Sequence, residues 1–122
     1  MRVPILKQSQ YVIASIQSAL SDEELLQLRD DLAHDVGKYR SRGVIIDVTA
    51  LDVMDSFAVR TLRAIAHMIR LRGAATVIVG IQPDVAFAMV HMGLSLEGVT
   101  TTLDLEEGLA YLTRGSKVAP GR

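Results

Sequence analysis

The chain contains no cysteine. That excludes a disulfide scaffold, thiol catalysis and a metal site built on thiolates. It has no excess charge of either sign: 13 Lys and Arg stand against 14 Asp and Glu, a net charge of -1. A chain so balanced has no bulk electrostatic grip on nucleic acid. Long hydrophobic runs are missing too. Its apolar stretches are a handful of residues each, whereas crossing a bilayer takes about 20. The opening residues, Met1-Arg2-Val3-Pro4-Ile5-Leu6-Lys7-Gln8, contain no secretory apolar region. There is no Gly-rich phosphate loop of the Walker or Rossmann kind, and no HExxH zinc motif. His34, His67 and His91 fall on three separate predicted helices without paired ligand spacing. The expectation is a cytoplasmic domain with no metal, no cofactor, no membrane contact and no nucleic-acid partner.

What remains is an ordinary globular balance. Hydrophobic residues make up 49% and charged residues 22% of 122. This length suits one domain with one real core. Segments alternate in character. Pro4–Lys7 and Tyr11–Ile16 read as strands joined by the polar Gln8-Ser9-Gln10, an antiparallel hairpin. Ser21-x-x-Glu24 is a capping-box pattern. Leu25, Leu28, Leu32, Val36 and Tyr39 follow on one helical face, and Gly43 is read as the close of that helix. Residues 44–48 and 75–81 are continuous apolar runs without alternation, as expected for central strands covered on both faces. A helix over 56–72 lies between them. Pro83 fits the first turn of the next helix and Gly93 its end. Residues 99–102 form a weak edge strand. Asp104-x-x-Glu107 opens the last helix, with Leu105, Leu109 and Leu112 as its stripe. Residues 115–122 lack periodicity and are expected to be a flexible tail, leaving 1–114 as the domain. The order β-β-α-β-α-β-α-β-α predicts an α/β fold, a mixed five-stranded sheet flanked by four helices.

The segment richest in chemistry is Asp47-Val48-Thr49-Ala50-Leu51-Asp52-Val53-Met54-Asp55-Ser56-Phe57. It leaves a buried strand and enters a helix. Ligands and switches gather at such strand ends in open α/β sheets. Ser56 stands at the position expected for an N-cap, beside Asp55. Either a capping role or a functional hydroxyl fits that position. In helix 56–72, Ala58, Leu62, Ile65 and Ile69 form an apolar face. Arg60, Arg63, His67 and Arg70 line the opposite side, and the helix has no acid. That side is either a solvated face or a docking surface for an acidic partner. Phe57 and Met68 flank it, either as an exposed contact patch or packed inward. Met89 and Met92, with Val85, Phe87 and Val90, read as core.

Taken together, residues 43–56 resemble the signature of the STAS domain, the sulfate transporter and anti-sigma-factor antagonist family. Leu71–Gly80, Pro83–Leu94 and Thr102–Leu109 resemble later stretches of the same family. The simple antagonist branch follows its serine with small residues, where this chain has Phe57-Ala58. With Val3-Pro4-Ile5-Leu6-Lys7 and Gly80-Ile81-Gln82-Pro83, this resembles the RsbS branch, the single-domain subunits of bacterial stressosomes. The resemblance implies a non-catalytic scaffold that sequesters a serine/threonine switch kinase of the RsbT type until Ser56 is phosphorylated. It implies self-association, a larger STAS paralogue of the RsbR type as partner, and a phosphatase to reset the switch. Asp55, Phe57, Arg60 and Arg63 become candidates for the switch loop and partner contacts.

Three other readings compete. One is a direct anti-sigma-factor antagonist controlled through the same Ser56. Another is a receiver-like domain phosphorylated on Asp47 or Asp52. Receivers need a suitably placed lysine, and Lys7, Lys38 and Lys117 are not so placed. The last is a small α/β enzyme, for which no nucleophile–base pair is evident.

Overall fold

A computed structural model describes residues 3–117. The chain runs β1 (Ile5–Gln8), β2 (Tyr11–Ser15), α1 (Asp22–Tyr39), β3 (Gly43–Asp47), α2 (Ser56–Leu71), β4 (Ala75–Val79), α3 (Pro83–His91), β5 (Thr100–Thr102) and α4 (Leu105–Lys117). The five strands lie in sequence order across one sheet. β1 and β2 are antiparallel, and every later pair is parallel. This is the expected mixed sheet with its four helices in the expected order. Because each β-α-β crossover turns the same way, successive strands add on one side and their helices land on one face.

Burial confirms two layers of core. Val12, Ala14, Val44, Ile46 and Ile78 pack under α1, α2 and α3 in one cluster. Ile13, Ile45, Val77 and Val79 face the other way and meet Leu112 of α4. Both sets come from the same strands at alternate positions, which is why β3 and β4 show no polar alternation. Val44, Ile45 and Ile46 are completely buried, each contributing roughly 1.5–3 kcal/mol by leaving water. β5 is a short edge strand, as expected.

Helix ends show where the sequence reading shifts. α1 starts with a full capping box: Ser21 Oγ accepts from Glu24 N, and Ser21 N donates to Glu24 Oε1. Its end is Arg40 in the left-handed region, φ 51. Gly43 therefore does not close the helix. It opens β3, where a Cβ would come within 2.8 Å of Leu112, so its bareness lets α4 lie close. Tyr39, expected on the apolar face of α1, is 38% exposed. The ammonium groups of Lys7 and Lys38 sit over its ring. α4 continues to Lys117, three residues into the segment expected to fray. The rest of that segment, 118–122, lies outside the described residues.

α3 corrects another expectation. Val85 and Met89, four residues apart, are buried, but Phe87, Val90 and Met92 are 72%, 78% and 51% exposed. A helix on an open sheet has only one side to bury, and among the described residues nothing covers the other. No helix of the described residues is long and apolar enough to cross a membrane.

Candidate functional site

The loop between β3 and α2 sits at the carboxyl end of the central strand. Its first turn is pinned by Asp47, whose Oδ1 accepts from Thr49 N at 2.9 Å and from Thr49 Oγ1 at 2.6 Å. Short polar side chains bond their own backbone two residues on in this way. Val48 N donates to Val79 O, tying the loop to β4. Gln82 Nε2 donates to Thr49 O at 2.7 Å, tying it to the start of α3. Gly80, with φ +80, lies under Thr49, and a Cβ there would stand 1.9 Å from Thr49 Oγ1. Farther along, Leu51 and Met54 are buried anchors, while Val53 is 64% exposed and Asp52 is exposed. A small apolar crevice of about 70 Å³ lies beneath, bounded by Ile16, Leu20, Leu51, Met54 and Leu62 among others.

The start of α2 differs from the expectation by one residue. Asp55, not Ser56, is the N-cap. Its backbone is extended (φ -83, ψ 175), and its Oδ1 accepts from Ala58 N at 2.8 Å. Ser56 is the first helical residue, and its side chain makes no hydrogen bond within the described residues. Both residue types cap well. With Ala58 N on the Asp55 side chain and Val59 N on Asp55 O, the N–H groups of Ser56 and Phe57 stay outside the helix ladder. No acid stands in the first turn. The site thus joins a half-buried hydroxyl, free N–H groups and the positive end of a helix dipole.

The other candidates divide. Phe57 is 37% exposed beside Ser56. Arg60 is exposed, four residues on and so one turn along the same side. Arg63 is half-buried and spends Nη1 on Ser95 O at 2.9 Å. Arg70 bonds Gly98 O in the same way. The basic side of α2 therefore partly holds the segment after α3. Met68 packs against the core. The three histidines do not meet, and no metal-binding group of three or more His, Cys, Asp or Glu forms among the described residues. Sequence reasoning missed the roles of Thr49 and Gln82. Gly80 was the available signal, since a glycine just past a buried strand marks a close approach.

Comparison with known proteins agrees with this fold. Over 97% of its length the chain is similar to a serine-to-glutamate variant of RsbS from Moorella thermoacetica, all of which it covers, at 36% identity and a TM-score of 0.83. It is similar to a chain from the molecular architecture of the stressosome, described as a signal integration and transduction hub. There the identity is 34% and the TM-score 0.77, over 94% of this chain and 100% of that one. Among curated proteins it is similar to the RsbT co-antagonist protein RsbRA of Bacillus subtilis, 28% identical over 97 residues, 80% of this chain. The chain spans about a third of the length of the curated relatives it matches, 35% and 32%. The resemblance to RsbS is borne out. The STAS domain model matches residues 3–108, and the chain belongs to the STAS domain family.

Proposed function

We propose that this chain is a non-catalytic phospho-switch and scaffold subunit of a cytoplasmic bacterial stressosome. It holds a serine/threonine kinase of the RsbT type until Ser56 is phosphorylated, and then releases it to act on a stress-response output. The observation that carries this reading is the division of labour at the start of α2: Asp55 caps the helix and leaves the Ser56 hydroxyl unengaged. A phosphate there adds about -1.5 to -2 charge. It meets unused N–H groups and a positive dipole end, which favour it, against the repulsion of the adjacent Asp55 carboxylate. Arg60 stands one turn on to pair with it. A kinase docked on Ser56, Phe57 and Arg60 would instead have to desolvate that new charge, which is costly without a partner.

Assembly follows from the rest of the surface. The likeness to stressosome chains and to RsbRA supports self-association and packing against a larger paralogue of the RsbR type. The uncovered apolar side of α3, Phe87 with Val90, supports it too. A phosphatase would close the cycle. The alternative, direct capture of an anti-sigma factor, draws less support, because the bulky Phe57 stands beside the serine.

Calorimetry with the kinase tests the proposal. The phosphorylated chain should bind at least tenfold more weakly than the unmodified one, a difference of about 1.4 kcal/mol. Ser56→Asp should fall between, having one carboxylate in place of a dianion. Equal affinity of the phosphorylated and unmodified chains would end the release mechanism.

A further inference from the structure

β5 is the last strand of the sheet, and its outer edge has no neighbour among the described residues. Thr102 O accepts from Gly80 N, so the backbone of Thr102 faces β4. Backbone groups alternate sides along a strand, so the N–H and C=O of Thr101 both point outward. Thr101 is exposed, and neither group has a partner among the described residues. The donors on either side are closed: Val99 N donates to Leu96 O and Leu103 N to Glu107 Oε1, both at 2.9 Å. The open edge is too short to template a stack of strands. It suits one closed pair.

A slot of about 690 Å³ runs along this edge. Its walls include Ala86 of α3, Thr101 of β5, and Glu107, Ala110, Tyr111 and Arg114 of α4. Val90, one turn after Ala86, is exposed, as is Leu103 beside the slot. The charges on α4 are ordered. Glu107 and Arg114 are seven residues apart, within about 20° of the same side of the helix and about 10 Å apart along it. Ala110 lies between them. Glu107 commits Oε1 to Leu103 N and keeps its second oxygen unbonded. Arg114 is exposed and makes no ion pair among the described residues.

An acid and a base at opposite ends of one exposed stripe are complementary to the same stripe reversed. A two-fold axis at the middle of the slot sets Glu107 against the partner's Arg114, and Arg114 against the partner's Glu107. The same axis sets Thr101 against the partner's Thr101, where the two residues exchange two N–H···O bonds as in an antiparallel ladder. We propose that this edge is an interface with a second copy of this chain, built from the Thr101 pair and the two Glu107–Arg114 pairs. It names the surface for the self-association in the proposed function and rests on that reading.

The test is sedimentation velocity of the full chain alone at low salt, over a concentration series, without kinase or paralogue. The native chain should show a monomer–dimer equilibrium that weakens as salt is added. Glu107→Arg and Arg114→Glu should each weaken the dimer about tenfold, since the two-fold axis counts each change twice. Mixing these two variants should restore it, because one carries bases at both positions and the other acids at both. Thr101→Pro removes the outward donor at a place where an edge strand accepts proline, and it should weaken the dimer too. Melting curves accompany the variants because Glu107 also holds Leu103 N. Arg114 holds nothing among the described residues, so Arg114→Glu keeps the test decisive if Glu107→Arg unfolds. A monomer at every concentration would overturn the proposal. So would a dimer unchanged in Arg114→Glu, or a mixture of two folded variants that associates no better than either alone. A dimer indifferent to these changes would put self-association on another surface and leave the stressosome reading standing. Failure of phosphorylation to release the kinase would end that mechanism and leave this dimer in place.

Discussion

Helix α1 begins with Ser21 at its cap, and helix α2 begins with Ser56 one position inside. Ser21 is fully occupied. Its hydroxyl and backbone N–H both bond Glu24, and Asp22, Glu23 and Glu24 crowd the first turn. A phosphate on Ser21 would displace a bonded hydroxyl and meet three carboxylates. At α2 the cap has passed to Asp55, and the first turn has no acid. The same residue type at the same kind of helix end is thus structural in one place and available in the other. Availability comes from the neighbouring residue that takes over the cap, together with the charge of the first turn.

The largest expected effect is on modification. Incubated with a kinase of the RsbT type and ATP, the native chain should be labelled on Ser56 alone, as mapped by mass spectrometry. Ser56→Ala should abolish labelling, and Ser21→Ala should leave it intact. Labelling of Ser21, or full labelling of Ser56→Ala, would break the comparison.

A smaller effect probes what holds the α2 start in place and the α1 start does not need. Gly80 has positive φ and touches Thr49, including its backbone Cα at 3.1 Å from a built Cβ. Gly80→Ala should destabilise the chain by about 2–5 kcal/mol, from left-handed strain plus overpacking. Urea unfolding reads this. Amide shifts should change through the 48–56 loop and not at Ser21–Glu24. A cost under about 1 kcal/mol would mean that the loop is not braced through Gly80.

Most of the architecture was legible in the chain because it rests on period and punctuation. Residues 44–46 and 77–79 are apolar without alternation, and Ser21-x-x-Glu24 carries its cap in its spelling. The Ser56 region was legible as a place but not as a geometry. Asp55 and Ser56 are adjacent and cap comparably, so residue type alone did not separate them. The roles of Arg63 and Arg70 were hidden for a similar reason. Their partners are the carbonyls of Ser95 and Gly98, which no side-chain pattern announces. Phe87 and Val90 misled because composition alone made α3 look buried on all sides. Only their phase against Val85 and Met89 separates the two faces.

The smallest effect isolates the free hydroxyl itself. An N-cap replaced by alanine costs about 0.5–2 kcal/mol. Ser21→Ala should fall in that range because Glu24 N then loses the hydroxyl that accepts from it, while Ser21 N still donates to Glu24 Oε1. Asp55→Ala should as well, since Ala58 N then loses its acceptor and the dipole end loses a carboxylate. Ser56→Ala should differ. The hydroxyl bonds nothing among the described residues, the side chain is half-buried, and alanine is a better helix former at the first position. Its cost should stay within about 0.5 kcal/mol and could take either sign. Urea melts of the three variants, fitted with one common slope, measure all of this in the unphosphorylated chain. The ordering is what matters: Ser21→Ala and Asp55→Ala together, Ser56→Ala near zero. If Ser56→Ala costs as much as Asp55→Ala, the serine is holding the helix after all. Modification would then have to break a structural bond before it could signal, and the contrast between the two helix starts would disappear.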